Sequence, residues 1–314
     1  MFWIILIALI AVVWFFMKRN VDKIKQNAER YPLSVLSQNP KGETVMIDRP
    51  DGGKIHTIVA GEGDDVVLAH GYGATLIEWN IVMDQLVSDG YRVIALDLMG
   101  HGKSTIGSGG IGTKQMGASF KQVLEHFDVQ SGILVGHSTG GFLSISTLLN
   151  FPEVADRLKG LILLASTAGD VSKGAPQNKL QIPLIKSGIM TTLIKSDLFG
   201  YPFGASIMGE SPYASAIRVF VDAFLAQDHS KLVPILKEID ETSYYDRLGE
   251  INVPTVVICG EKDGTTPPWH SESLGRDIPN ARNVWVPSCG HMLNWEAPEV
   301  LIETISELHE KATV

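Results

Sequence analysis

The strongest constraint on the fold of this chain is an alternation. Short runs rich in Val and Ile recur at Thr44–Asp48, Ile55–Ala60, Val66–His70, Arg92–Asp97, Ile133–Gly136, Leu161–Ala165, Thr255–Gly260 and Asn283–Val286. Each has the length of a strand, and most are apolar enough to be buried on both faces. Amphipathic stretches of helical length accompany them at Glu78–Asp89, Gln115–Phe127, Gly140–Asn150 and Glu299–Lys311. Strands alternating with helices predict an α/β fold with a doubly wound, mostly parallel sheet of eight strands. The physical reason is that parallel neighbours need a crossover, and crossover helices then cover both faces. Pro50–Gly53 carries turn chemistry, so an antiparallel hairpin should open the sheet. From about Thr167 to Tyr245 no strand appears, and the segment is rich in Ile, Leu, Met, Phe and Tyr. It is too long for a loop and reads as an inserted helical cap. Residues 43–166 and 246–314 then form the core, and 167–245 the cap.

Ahead of the core stands a different kind of segment. Met1 to Met17 carry no polar side chain. As a helix this run spans roughly 25 Å, the short end of what crosses a bilayer. Phe2 and Trp3 at one end and Trp14, Phe15 and Phe16 at the other match the aromatic belts of two interfaces. A cleaved signal peptide fits poorly, because no basic residue precedes the run and no A-x-A-like site follows it. The expectation is a transmembrane anchor over 1–17 and a basic linker over 18–42. Lys18, Arg19, Lys23, Lys25 and Arg30 outnumber Asp22 and Glu29 on the far side, which places that side in the cytoplasm under the positive-inside rule. The same stretch could rest on anionic headgroups or be a plain solvated helix.

Composition excludes several classes. Of 314 residues 45% are hydrophobic, enough for a sizeable core. The net charge of −9 weighs against a nucleic-acid partner, since phosphate binding needs a basic face. Cys259 and Cys289 are too few for a disulfide scaffold and have no zinc-binding spacing. No residue cluster implies a metal or an organic cofactor.

Chemistry is carried by Gly136-His137-Ser138-Thr139-Gly140, a G-x-S-x-G string between a predicted strand and a predicted helix. A strand–turn–helix this sharp lifts the serine clear of the sheet beside a helix N-terminus, and Gly136 and Gly140 relieve the crowding. A serine nucleophile needs a base, and the base an orienting acid. His291 lies in a loop after the last strand and Asp263 immediately after the preceding one, both at the C-terminal strand edge where open sheets build their sites. Glu261 is the alternative acid, less free to reach a loop histidine because it lies closer to its strand. His126, His229 and His309 read as surface or packing residues. His70-Gly71-Tyr72-Gly73 follows the strand at 66–70, and its glycines let the backbone turn inward. The backbone amides of Tyr72 and Thr139 are the predicted oxyanion donors, with Gly71 shaping the loop.

These pieces together resemble the α/β-hydrolase fold family over residues 43–314. The matching strings are HGYGATLIEWN, ALDLMGHGKS, LVGHSTGG, VPTVVICGEKDGTTP and VPSCGHMLNWEAPE, in family order. The resemblance implies a Ser138–His291–Asp263 triad beneath a cap, and a purely structural role for Asp97 and His101. The elbow and short oxyanion loop are similar to those of cofactor-free esterases, monoacylglycerol-lipase-like enzymes and serine haloperoxidases. Serine at position 138, where haloalkane dehalogenases and epoxide hydrolases carry aspartate, argues against both of those chemistries.

The expected reaction is acyl transfer to water. The cap carries Ile182, Leu184, Ile185, Ile189, Met190, Leu193, Ile194, Phe199, Phe203 and Met208, some of which must pack the cap itself. An apolar inner face would suit an acyl chain. With the anchor, this predicts hydrolysis of lipid-derived esters such as monoacylglycerols. The same triad could instead cleave a C–C bond or a thioester, or act as a perhydrolase or haloperoxidase. A non-catalytic binding protein is the reading from another class.

Overall fold

The computed structural model describes residues 1–173 and 175–311, apart from the side chains of residues 2–5, 7, 8, 10, 176 and 311. Its eight strands are β1 (Glu43–Asp48), β2 (Lys54–Ala60), β3 (Asp65–Ala69), β4 (Arg92–Leu96), β5 (Gly132–His137), β6 (Leu158–Leu164), β7 (Thr255–Gly260) and β8 (Arg282–Val286). They form one sheet in the order β1-β2-β4-β3-β5-β6-β7-β8. The opening hairpin β1–β2 is antiparallel, β2 meets β4 antiparallel, and every later pair is parallel. The sheet is therefore the mostly parallel one that the alternation predicts.

The first helices are α1 (Phe2–Gln26), α2 (Leu33–Leu36), α3 (Asn80–Ser88), α4 (Thr113–His126) and α5 (Thr139–Asn150). Between β6 and β7 lie α6 (Pro176–Lys186), α7 (Ile189–Leu193), α8 (Asp197–Ala205), α9 (Ala214–Leu225) and α10 (His229–Glu241), and no strand among the described residues. The chain closes with α11 (Trp269–Asp277), α12 (Leu293–Glu296) and α13 (Pro298–Lys311).

Alternation along the central strands divides the core. Val67, Ala69, Leu134, Leu161, Leu163 and Val257 face a cluster shared with α4, α5 and α11, whereas Val66, Leu68, Ile133, Val135, Ile162 and Ile258 face α3 and α13. Both faces of each central strand are buried, which is why these strands read as continuous apolar runs. At about 1.5–3 kcal/mol per buried large apolar side chain, the two clusters dominate what holds the sheet.

A third cluster joins the helices of 176–241 to the N-terminal segment. Val21 and Ile24 of α1 and Leu36 of α2 are buried with Ile185, Ile194, Tyr201, Ile217, Phe220 and Phe224. Polar contacts complete the seam: Lys25 Nζ to Asp197 Oδ2 at 2.7 Å, Asn27 Nδ2 to the Pro212 carbonyl at 2.7 Å, and Arg30 to Glu299 at 2.6 Å. The stretch expected as a basic linker is thus helical to Gln26 and docked. Its apolar positions 21 and 24 are the only side chains of α1 buried among the described ones, and they are one helical turn apart.

Among the described residues no helix is long and apolar enough to cross a membrane. The expected transmembrane helix therefore finds no support in the fold. Several side chains of the run Met1–Met17 lie outside the described residues.

Candidate active site

The strand order reverses at β3, which lies between β4 and β5. Ligands of open α/β sheets bind in the crevice at such a switch point. Here the loop after β3 carries Gly71 and Tyr72, and Ser138 follows β5.

Ser138 links the last residue of β5 to the first of α5 with φ +52° and ψ −116°, a conformation an L-residue holds only when its surroundings force it. Its amide donates to the Leu164 carbonyl at 2.9 Å, and its own carbonyl accepts from Gly141 and Phe142 at 3.0 and 3.1 Å. A Cβ on Gly136 would sit 2.5 Å from Gly141 Cα, and one on Gly140 would sit 2.3 Å from the Ala69 carbonyl oxygen. Side chains at these positions are excluded by backbone. A Cβ on Gly71 would come within 3.2 Å of Ser138 Cβ, so the loop after β3 lies directly against the serine. Among the described residues neither the Tyr72 nor the Thr139 amide has an acceptor, and both residues line the cavity that Ser138 lines.

His291 and Asp263 meet. Nδ1 of His291 lies 2.8 Å from Asp263 Oδ2, with both side chains buried. Asp263 Oδ1 accepts from the Thr265 and Thr266 amides at 2.8 and 2.9 Å, and Oδ2 lies 2.8 Å from the Thr266 hydroxyl. Burial alone would raise this carboxyl, but the His291 ring and the Thr266 donors hold it below its ordinary 3.8. The His291 ring therefore presents its other nitrogen towards the cavity. The Ser138 hydroxyl makes no hydrogen bond among the described residues; nucleophile–base contacts often tighten only with substrate in place. Glu261, the alternative acid, is exposed and makes no bond to His291 among the described residues.

The remaining histidines separate cleanly. His126 is exposed on α4 and His309 lies on α13. His229, at the start of α10, donates from Nε2 to the Phe224 carbonyl at 2.8 Å, leaving Nδ1 to accept from the Tyr72 hydroxyl at 3.0 Å. Burial keeps its pKa low, in keeping with a neutral acceptor. Asp97 accepts from the Leu76 and Lys103 amides, both at 2.9 Å, and pairs with His56 at 2.7 Å, so it ties loops together away from Ser138. Cys259 and Cys289 are free thiols, pushed up by burial to about 12 and about 11.

One pair escaped the sequence reading. His137 lies 3.0 Å from Glu78 Oε1 through Nδ1, and its Nε2 donates to the His291 carbonyl at 3.0 Å. Both residues are buried and both line the cavity. Burial opposes a charge on His137, but Glu78 and the His291 carbonyl outweigh it and raise the pKa above 6.5. The variable position of a G-x-S-x-G string and a glutamate far upstream carry no joint signal, so sequence offered no way to pair them.

The cavity holds about 240 Å³. Ile182, Ile185, Phe203, Phe220, Phe224 and Leu236 form its apolar wall, and Gln177, Asn178 and Thr265 a polar corner. Of the apolar cap residues named from the sequence, Ile182, Ile185 and Phe203 line it. Ile194 and Met208 are buried in the third cluster, and Met190 packs on that cluster half-buried. Leu184, Ile189, Leu193 and Phe199 are exposed instead. Phe220 and Phe224, on the strongly amphipathic α9, complete the inner wall.

A family model described as the alpha/beta hydrolase family matches residues 66–304. The chain belongs to that family. This alpha/beta hydrolase is 30% identical over 257 residues to a 2-hydroxy-6-oxononadienedioate/2-hydroxy-6-oxononatrienedioate hydrolase of Cupriavidus pinatubonensis, a match covering 77% of the chain and 86% of the relative. Among solved structures, an esterase from Exiguobacterium antarcticum superposes with a TM-score of 0.76 at 23% identity, covering 86% of this chain and 100% of that one. A bromoperoxidase from Bacillus anthracis superposes with a TM-score of 0.73 at 21% identity, covering 85% and 100%. At such identities these two likenesses concern the fold alone.

Proposed function

We propose that this alpha/beta hydrolase is a serine hydrolase that cleaves carboxylic esters with an apolar, lipid-derived acyl chain, monoacylglycerols being the natural candidates. Ser138 attacks the ester carbonyl while His291 takes its proton. Asp263 holds the imidazole tautomer and stabilises the imidazolium. The Tyr72 and Thr139 amides bind the oxyanion, where one donor contributes about 2.7–4 kcal/mol. His291 returns its proton to the departing alcohol, then draws a proton from water, which attacks the acyl-enzyme and releases the acid.

The observation that carries this reading is the cavity wall. Apart from the corner at Gln177 and Asn178 it is mostly apolar on the cap side, and no Lys or Arg stands among its described lining residues. The C–C hydrolase reading has its own support in the 30% identical relative. The substrate in that relative's name is a dicarboxylate, however, which would meet the Glu78 carboxylate here with no fixed Lys or Arg to receive it. A cavity of about 240 Å³, just below the usual ligand range of about 300–1,000 Å³, favours medium over long chains.

The deciding experiment measures initial rates on p-nitrophenyl esters from acetyl to palmitoyl, with Ser138→Ala alongside. A maximum at medium chains that vanishes in the variant supports the proposal, and monoacylglycerols follow. Activity on acetate alone moves the substrate to small esters. Turnover of a dienedioate ketone but no ester would establish C–C cleavage. Failure of a fluorophosphonate to label Ser138 would point to a binding role.

The same proposal includes a membrane location. Leu9, Val12, Val13, Trp14, Phe15 and Phe16 are all more than half or about half exposed on α1, an arrangement that water disfavours and a bilayer accommodates. We read the run Met1–Met17 as an anchor with the catalytic part on the cytoplasmic side. Reporter fusions at the C-terminus that were active only outside the cytoplasm would reverse that orientation.

A further inference from the structure

Helices α6 and α7 have two apolar faces. Ile182 and Ile185 of α6 line the cavity, and Ile194, just past α7, is buried with Val21 and Ile24 of α1. The other face is bare: Leu180 is 67% exposed, Ile189 51%, and Leu184 and Leu193 over 40%. Leu180 and Leu184 lie four residues apart, as do Ile189 and Leu193, so each pair forms a stripe on its helix. The same segment is basic. Between Val171 and Ser196 the chain carries Lys173, Lys179, Lys186 and Lys195 and not one Asp or Glu, in a protein of net charge −9. Lys179, Lys186 and Lys195 are exposed and have no ion-pair partner among the described residues. The helix α1 leaves the same cluster unbroken towards the exposed apolar side chains at 9 and 11–16.

We propose that the outer face of α6–α7 is a second membrane contact, seated in the headgroup region of an anionic bilayer. Leu180, Leu184, Ile189 and Leu193 enter the acyl boundary, and the lysines meet lipid phosphates. Exposed leucines flanked by unpaired lysines have the composition of an interfacial helix. The inference rests on the proposed anchor for bringing this face to the bilayer. It adds that the cap wall over Ser138 lies on the lipid, so that α6 has substrate cavity on one side and bilayer on the other.

The test uses the full chain carrying Ile189→Cys in a Cys289→Ser background, spin-labelled and reconstituted in phosphatidylglycerol vesicles, with Asn252→Cys as the exposed control. The expected result is a nitroxide at 189 several-fold more accessible to oxygen than to a water-soluble nickel chelate, and the reverse at 252. Replacing Lys179, Lys186 and Lys195 by Gln should move the 189 label towards water. A chain that floats with the vesicles while both labels remain equally wet overturns this contact and leaves the anchor standing. A chain that does not float overturns both. Strong dipolar coupling between labels at 189 would show a second copy covering the face, and would overturn the lipid assignment.

Discussion

At the scale of single residues, the site is defined by three side chains brought to one edge and by one backbone conformation. Ser138→Ala and His291→Ala should each lower kcat by about 10⁴–10⁶, and the double variant should be no worse than the singles, because the two act as a unit. Asp263→Asn should cost about 10⁴ while leaving the fold intact, since the amide holds the wrong imidazole tautomer. Single-turnover rates on the best p-nitrophenyl ester check all of these, and additive losses would separate the residues. Glu78 belongs to the same scale. Glu78→Gln leaves His137 buried without its counter-charge, and breaking a buried pair in this way typically costs about 3–5 kcal/mol.

At the scale of elements, the turn between β5 and α5 and the docked end of α1 are the informative cases. Gly136→Ala drives a methyl onto the backbone of Gly140 and Gly141. Overpacking of this kind costs about 1–3 kcal/mol or more, so urea midpoint and ester rate should fall together. A variant with unchanged midpoint would mean that the elbow has slack the geometry does not show. Val21→Ser with Ile24→Ser removes two side chains from the third cluster. Each contributes about 1.5–3 kcal/mol. The segment 27–42 should become a protease-sensitive link while the unfolding midpoint of the sheet domain moves little, and limited proteolysis followed by mass spectrometry reads both.

At the scale of the whole molecule, stability should depend on pH from two directions. Asp97 and Asp263 have pKa values depressed below 3.8 in the fold. Their contribution is present above that value and is lost as pH falls through the lower folded values. His137 has the opposite sign. Raised above 6.5, it contributes fully below 6.5 and loses that contribution as pH climbs through its folded value. The neutral buried histidines His101 and His270, depressed to about 3 and about 4, and His229, also depressed, add to the acid side, because their contribution is present above 6.5 and shrinks as pH falls below it. A thermal-melt series should therefore show an acid limb that begins below about pH 6.5 and steepens below about 4, and an alkaline decline from the His137 pair. Glu78→Gln should flatten the alkaline decline and be most destabilising below pH 6.5. An equal penalty at pH 6 and pH 9 would show that the pair carries no net charge separation.

Local pattern determined much of this protein. Strand positions followed from Val and Ile runs, the opening hairpin from Pro50–Gly53, and the serine turn from glycines flanking residue 138 within a few positions of one another. Asp263 and His291 were legible because each directly follows its strand or strand loop, and strand ends of a parallel sheet converge on one edge. What the tertiary structure alone decided involves groups far apart in the chain. Glu78 and His137 are separated by 59 positions, and His137 and the His291 carbonyl by 154. Which apolar residues of 176–208 face the cavity was equally hidden, because α6 and α7 are apolar on two sides and periodicity cannot rank one stripe above the other. Burial chose Ile182 and Ile185 over Leu180 and Leu184, since only the former meet Phe203, Phe220 and Phe224 across the space above Ser138.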